Sequence, residues 1–220
     1  MSGNRELCQA ICSAGRAMNE LGLNQGTAGN ISARADMGFL ITPSGVAYET
    51  LQPHQIVAME YDGRWSAAGA NLKPSSEWRF HRDILRARSD VQAVVHSHPP
   101  YATALACLRR DIPAFHYMVA IAGGSVIRCA DYATFGTVEL SEAAVEALGD
   151  RNACLLANHG MIACGETIEA ALALAVEVEA LAGQYLRALS VGEPAILDDD
   201  EMARVLEKFR AGYGFASEPD

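Results

Sequence analysis

Val94-Val95-His96-Ser97-His98-Pro99 is a short apolar run that ends in two histidines one residue apart and is stopped by a Pro-Pro pair. With Val91 at its start, a run of this length and composition reads as a buried strand. On a strand, residues i and i+2 face the same way, so His96 and His98 project side by side. Two imidazoles held like that make half of a transition-metal site, although two unrelated histidines, one satisfied in the core, would read the same. His159 decides between these readings. It sits in Leu155-Leu156-Ala157-Asn158-His159-Gly160, where a second apolar strand again ends in a histidine. Three neutral imidazoles at strand ends suit Zn²⁺, and three protein nitrogens leave coordination open for water or substrate. The pattern predicts a catalytic metal centre.

The rest of the composition sets limits around that centre. The chain has 220 residues, half of them hydrophobic, enough for one sizeable core, and predicts a single domain over residues 1–220. A formal net charge of −10 argues against nonspecific nucleic-acid binding and against a polybasic membrane contact. It leaves room for an anionic small substrate, because local donors and a metal outweigh a distant field. The six cysteines include no C-x-x-C pair and sit mostly in apolar runs, which predicts reduced thiols and a cytoplasmic protein. The first residues lack a signal-peptide core, and the longest apolar segment, near 170–189, carries Glu177 and Glu179 and is no membrane span.

Upstream of the histidine strand, Leu7, Ile11, Ala14, Met18 and Leu21 recur at helical spacing, with Gly22 where a left-handed cap belongs. The run Asn24-Gln25-Gly26-Thr27-Ala28-Gly29-Asn30 is small enough for its backbone to approach a ligand, although alone it reads equally as a surface turn. Residues 31–35 and 38–42 read as two strands joined at Asp36-Met37, and 56–60 as a third that turns back toward Trp65. Lys73-Pro74-Ser75-Ser76-Glu77 opens a helix running to about Arg88, with Ser75 or Ser76 as its cap, a place where free N–H groups suit a phosphate. Downstream, a helix starts near Tyr101, Ser141 is read as the cap of another, and a long Ala-rich helix spans about 168–189. A last helix starts at Asp198 to Asp200 and ends near Gly212, leaving a tail that includes Tyr213. The expected fold class is α/β: three layers, with a central, largely antiparallel or mixed sheet flanked by helices.

Five separated motifs then carry a resemblance over nearly the whole chain. They are Leu21 to Asn30, Thr42-Pro43-Ser44-Gly45, Pro74-Ser75-Ser76-Glu77-Trp78-Arg79-Phe80-His81, His96-Ser97-His98 and Asn158-His159-Gly160. In this order they resemble the class II aldolase/adducin family, and within it the bacterial branch that cleaves L-fuculose 1-phosphate. The segments Ile112 to Met118, Tyr132 to Thr137 and Val205 to Phe209 are similar as well.

The resemblance implies a nine-stranded-type sheet layered by helices, assembled as a homotetramer with sites at subunit interfaces. It implies zinc held by His96, His98 and His159, with Glu77 as a fourth ligand that substrate oxygens displace and that then works as the acid/base. It implies a phosphate cradle from Gly29, Asn30, Ser44, Gly45, Ser75 and Ser76, with Thr27 and Phe135 at the pocket. Tyr117 matches a proton donor entering from a neighbouring subunit, and Tyr213 a tyrosine of the tail, shifted here by an extra residue near Gly212. The implied reaction is reversible cleavage of a ketose 1-phosphate into dihydroxyacetone phosphate and an aldehyde. Neutral histidine ligands leave the metal's charge available to stabilise the electron-rich intermediate.

Lys73 and Gly124-Ser125-Val126-Ile127-Arg128 depart from the fuculose-phosphate pattern and leave the aldehyde half of the substrate open. A 5-deoxypentulose 1-phosphate fits as well as L-fuculose 1-phosphate. The alternatives within the family are a pentulose 5-phosphate 4-epimerase and a methylthioribulose 1-phosphate dehydratase; from another class, a non-catalytic adducin-like binding module. His54, His81 and His116 are read as structural.

Overall fold

The computed structural model describes residues 2–69 and 71–211, without the side chains of residues 2 and 3. At its centre is one sheet of eight strands, in spatial order β4-β3-β2-β1-β5-β8-β7-β6. The strands are β1 (Asn30–Ala35), β2 (Gly38–Ile41), β3 (Val57–Met59), β4 (Trp65–Ser66), β5 (Ala93–Ser97), β6 (Cys129–Ala130), β7 (Ala153–Leu156) and β8 (Gly160–Gly165). All neighbours pair antiparallel except β6 with β7, so the sheet is mixed and largely antiparallel, as expected. Among the described residues the count is one below the nine that the resemblance implies. Further extended pairing is reduced to isolated bridges, Pro43 with Pro74 and Ile112 with Ile127. The Thr42 N–H that would extend the first bridge donates to Ile31 O instead.

Alternation along the strands builds two cores. Ile31, Ala33, Ala93, Val95, Leu155, Met161 and Ala163 face one side. There they meet α1 (Ser2–Glu20), α3 (Pro100–Cys107), α5 (Ile168–Val191) and α6 (Asp199–Arg210). Phe39, Ile41, Val94, Cys154, Leu156, Ile162 and Cys164 face the other side, where α2 (Trp78–Ala87) and α4 (Val138–Leu148) pack. This period of two gives three layers. The long helix α5 is buried along much of its length by its own chain, through β5, β8, α1 and α3. None of the described helices is long and apolar enough to cross a membrane.

Two cap assignments need correction. The cap position of α2 is Glu77 rather than Ser75 or Ser76, and its side chain makes no capping bond. The Ser75 hydroxyl instead accepts from the Glu77 N–H at 3.3 Å, which frees the glutamate to turn toward the strands. Thr137, not Ser141, caps α4, its hydroxyl accepting from Leu140 N–H. Ser141 lies inside that helix, and its hydroxyl donates to Asp83 at 2.7 Å. Gly22 does close α1 with φ of 73°, a conformation that glycine adopts at no steric cost.

Candidate metal centre

His96 has the parity of Val94, so its ring points to the sheet face covered by α2 and packs edge-on against Phe80 of that helix, with centroids 5.3 Å apart. His98 lies one residue beyond β5, yet its Nε2 comes within 2.9 Å of His96 Nε2. His159 occupies the turn between β7 and β8, and β8 lies beside β5 in the sheet. Glu77 reaches in from the start of α2: Oε2 is 3.3 Å from His96 Nε2, and Oε1 is 3.2 Å from His159 Nε2. One donor atom from each of Glu77, His96, His98 and His159 lies within 4.8 Å of all the others. The expected ligand set converges at one point.

Backbone constraints hold this geometry. Asn158, just before His159, adopts φ of 54°, a left-handed conformation for which asparagine is among the tolerated residues. Its side chain accepts from Arg109 Nε at 3.0 Å. A Cβ on Gly160 would lie 2.4 Å from Ser97 O and 2.6 Å from His98 Cδ2, so only glycine lets the two ligand-bearing turns meet. His98 N–H donates to Asn24 Oδ1 at 2.9 Å, tying the metal turn to the small-residue loop.

The electrostatics fit a cation. A carbonyl oxygen can only accept, so His96 Nδ1–H donates to Met161 O at 2.9 Å and the Nε2 lone pair faces the cluster. Burial and the neighbouring His96 and His159 push His98 down to about 3, leaving it neutral and ready to ligate. Burial works to raise the Glu77 pKa, but His96 and His159 beside it outweigh that and hold it below the usual carboxylate range. Glu77 Oε1 is buried without a hydrogen-bond donor, a costly situation that a metal ion would resolve. Three nitrogens and one carboxylate are a donor set suited to a divalent transition ion.

The other expected site residues divide into groups. Asn30 Nδ2 donates to Glu77 Oε2 at 3.0 Å, while Ser75 N–H donates to Thr42 O and Ser44 N–H to Lys73 O. The loops holding Gly29-Asn30, Ser44-Gly45 and Ser75-Ser76 are therefore linked to one another beside the cluster. Ser44, Gly45, Ser76 and Thr27 are exposed, whereas Asn30 and Ser75 are buried. The Asn30 amide is already engaged by Glu77 and His81, so a phosphate contact from it would draw on its second N–H. Phe135 is exposed and lines the cleft of about 320 Å³ that opens onto Glu77, His98 and His159. Tyr117 is not on that cleft. It lines a separate groove with Phe115, His116 and α6. Tyr213 lies outside the described residues.

Several contributors stood in the quoted motifs without being singled out as site residues. Tyr132 and Asn158 line the cleft. Arg79 donates to Gly136 O at 2.8 Å and so holds the loop that carries Phe135. His81, read as structural, contacts Asn30 and through it Glu77; its position four residues after Glu77, on the same face of α2, was the available signal.

Comparison with known proteins agrees with this geometry. The family described as Class II Aldolase and Adducin N-terminal domain matches residues 9–186. The chain is 58% identical over 215 residues to a 5-methylthioribulose-1-phosphate/5-deoxyribulose-1-phosphate aldolase of Rhodospirillum rubrum, covering 97% of this chain and 96% of that protein. It is 50% identical over 214 residues to an L-fuculose phosphate aldolase of Escherichia coli, covering 97% and 98% respectively. A solved structure of L-fuculose 1-phosphate aldolase superposes with a TM-score of 0.89 at 40% identity, covering 93% of this chain and 96% of that one. Four donors able to hold a metal, three near strand ends and one at a helix start, together with these likenesses, make the chain a member of the class II aldolase/adducin family, and an enzyme of its aldolase type.

Proposed function

We propose that the protein reversibly cleaves a ketose 1-phosphate to dihydroxyacetone phosphate and an aldehyde, with one Zn²⁺ per subunit held by His96, His98, His159 and Glu77. The observation that carries this reading is the convergence of those four donors, three of them imidazoles, within 4.8 Å of one another. When bound, the divalent ion supplies Lewis acidity to the sugar's carbonyl and hydroxyl oxygens. The protein does the rest. In cleavage a base takes the proton from the C4 hydroxyl, the C3–C4 electron pair moves toward the C2 carbonyl, and C3 receives a proton. Glu77 delivers that proton to C3, and removes it in the reverse direction. Tyr117 exchanges the proton on the C4 oxygen, a role contributing a factor of about a hundred to ten thousand. The Gly29-Asn30, Ser44-Gly45 and Ser75-Ser76 loops hold the phosphate away from the reacting bond, so that its binding energy orients the carbons.

Within this class a 5-deoxypentulose 1-phosphate, with or without a methylthio group, ranks first as substrate and L-fuculose 1-phosphate second. Tyr132, Ala133 and Phe135 give the cleft an apolar wall that suits a short aldehyde ending in a methyl or thioether. The 58% identity to an aldolase named for such substrates supports the same order. We further place the working enzyme in the cytoplasm, as a homotetramer of single-domain subunits. Six free cysteines suit a reducing compartment, and the location of Tyr117 away from its own chain's cleft suits a site completed by a neighbour.

A substrate panel tests the proposal: 5-deoxyribulose 1-phosphate, 5-methylthioribulose 1-phosphate, L-fuculose 1-phosphate and L-ribulose 5-phosphate, each read by release of dihydroxyacetone phosphate. Release from one of the first three is expected. Conversion of L-ribulose 5-phosphate to its 4-epimer without triose phosphate would replace the aldolase reading with an epimerase.

A further inference from the structure

His81 takes no part in the metal cluster, yet it is completely buried and both ring nitrogens are engaged. Nδ1 lies 2.7 Å from the Ser32 hydroxyl, and Nε2 lies against the Asn30 side-chain oxygen. Asn30 donates from Nδ2 to Glu77 Oε2 at 3.0 Å. Chemistry fixes the direction of this chain. The amide oxygen of Asn30 only accepts, so His81 carries its proton on Nε2 and donates it there. Nδ1 is then the acceptor, and the Ser32 hydroxyl its donor. Each of the three bonds therefore donates toward the carboxylate. With the opposite tautomer the Asn30 amide would turn round and set its oxygen against a carboxylate oxygen, which is repulsive. Burial supports the one-proton form, pushing the ring down to about 3.

The geometry points to His81 as a positioning residue: through Asn30 it aims an N–H at Glu77 Oε2, leaving Oε1 as the oxygen that exchanges a proton with the substrate carbon. Oε1 is the carboxylate oxygen without a hydrogen-bond donor, so it is the one left to carry the proton. This inference rests on the acid–base role proposed for Glu77. Ser32 shares the task, since its hydroxyl gives Nδ1 a donor and so supports the tautomer that the Asn30 oxygen sets.

The test has a spectroscopic arm and a kinetic arm. In ¹⁵N–¹H spectra of the metal-loaded protein, His81 is expected as a neutral ring protonated on Nε2; a proton on Nδ1 would overturn the inference. In kinetics normalised to bound metal, His81→Leu is expected to lower kcat by about tenfold to a hundredfold, with KM little changed. His81→Gln, whose amide N–H reaches the place of Nε2–H, should recover most of that loss. Unchanged kcat, or a loss that merely tracks lost metal, would refute the role. If His81→Leu does not fold, Ser32→Ala decides: a fall in kcat of about threefold to tenfold at constant KM is expected, and no fall would overturn it. Wild-type protein that releases triose phosphate from no ketose 1-phosphate would sink the reading of Glu77 instead, while the spectra still report the direction of the chain.

Discussion

The metal cluster and the groove beside Tyr117 are built in opposite ways. The cluster takes its donors from a strand end, two turns and a helix start, and the sheet register brings them together within a single chain. Neighbours fix three of the four donors: Met161 O on His96, Asn24 on the His98 backbone and Asn30 on Glu77. The groove, about 690 Å³, lies between the short helical turn at Tyr117–Ala122 and α6, and Tyr117 is 41% exposed on it. The cluster thus has its donor set assembled from one chain. Tyr117 stands on that groove and not on the cleft of its own chain. The lesson is that a family resemblance transfers both sets of residues equally, whereas the fold of one chain assembles only one of them.

The largest effect that would break this contrast is loss of the metal. Stripping the ion with a chelator, or His96→Ala, is expected to lower turnover on the order of ten-thousandfold, since the ion stands for several kcal/mol of charge stabilisation. Re-addition of a divalent ion should restore the stripped wild type but not the variant, as metal analysis and product assay together will show. Next comes Glu77→Gln, expected to keep its metal and lose about a thousandfold in kcat. Unchanged turnover would remove Glu77 from the proton transfer.

Tyr117→Phe sharpens the comparison from the other side. About a hundredfold loss of kcat is expected, with metal content and melting temperature as in the wild type. Mixing this variant with His96→Ala and reassembling the subunits should regenerate part of the activity that neither shows alone. Absence of any recovery would argue that Tyr117 serves no neighbouring site. The smallest effect concerns His81. Its folded pKa of about 3 lies below the ordinary 6.5, so the unfolded chain binds the proton more readily between those values. Stability is therefore fully present above about pH 6.5 and is lost as pH falls toward 3, with a slope of about 1.4 kcal/mol per unit from this one group. Glu77 titrates below 4.5 and contributes only at the acid end. Because His98 is also pushed down to about 3, denaturant titrations of metal-free protein between about pH 4 and pH 6 should show both contributions together, and His81→Leu should reduce the slope by about half.

Much of the fold followed from periodicity. Strand-like runs predicted the hairpin around Asp36-Met37 and the turn before Trp65, helical spacing predicted α1, an Ala-rich run predicted α5, and the acidic start at Asp198 to Asp200 predicted α6. His96, His98 and His159 were legible together, since a second apolar strand ending in a histidine set aside the reading of two unrelated core histidines. The caps were misread. Serines at 75, 76 and 141 have the right chemistry for capping, yet the serine at 75 bonds the backbone of Glu77 and the one at 141 bonds Asp83. Local propensity states what a hydroxyl can do; its actual partner is set by what packs against it.

What the sequence determined alone was a set of chemistries: three imidazoles, one carboxylate at a helix start, and small-residue loops fit for an anion. Tertiary structure decided their company. Pairing of β5 with β8, and of β8 with β7, places His159 beside His96 across more than sixty residues of chain. Packing of α2 on the Val94 face places Glu77 over both and His81 behind Asn30. No local pattern encodes such proximities, because they arise from strand order and from which face of the sheet a helix covers. The same holds for the separation of Tyr117 from the cleft, which only the fold of the whole chain could reveal.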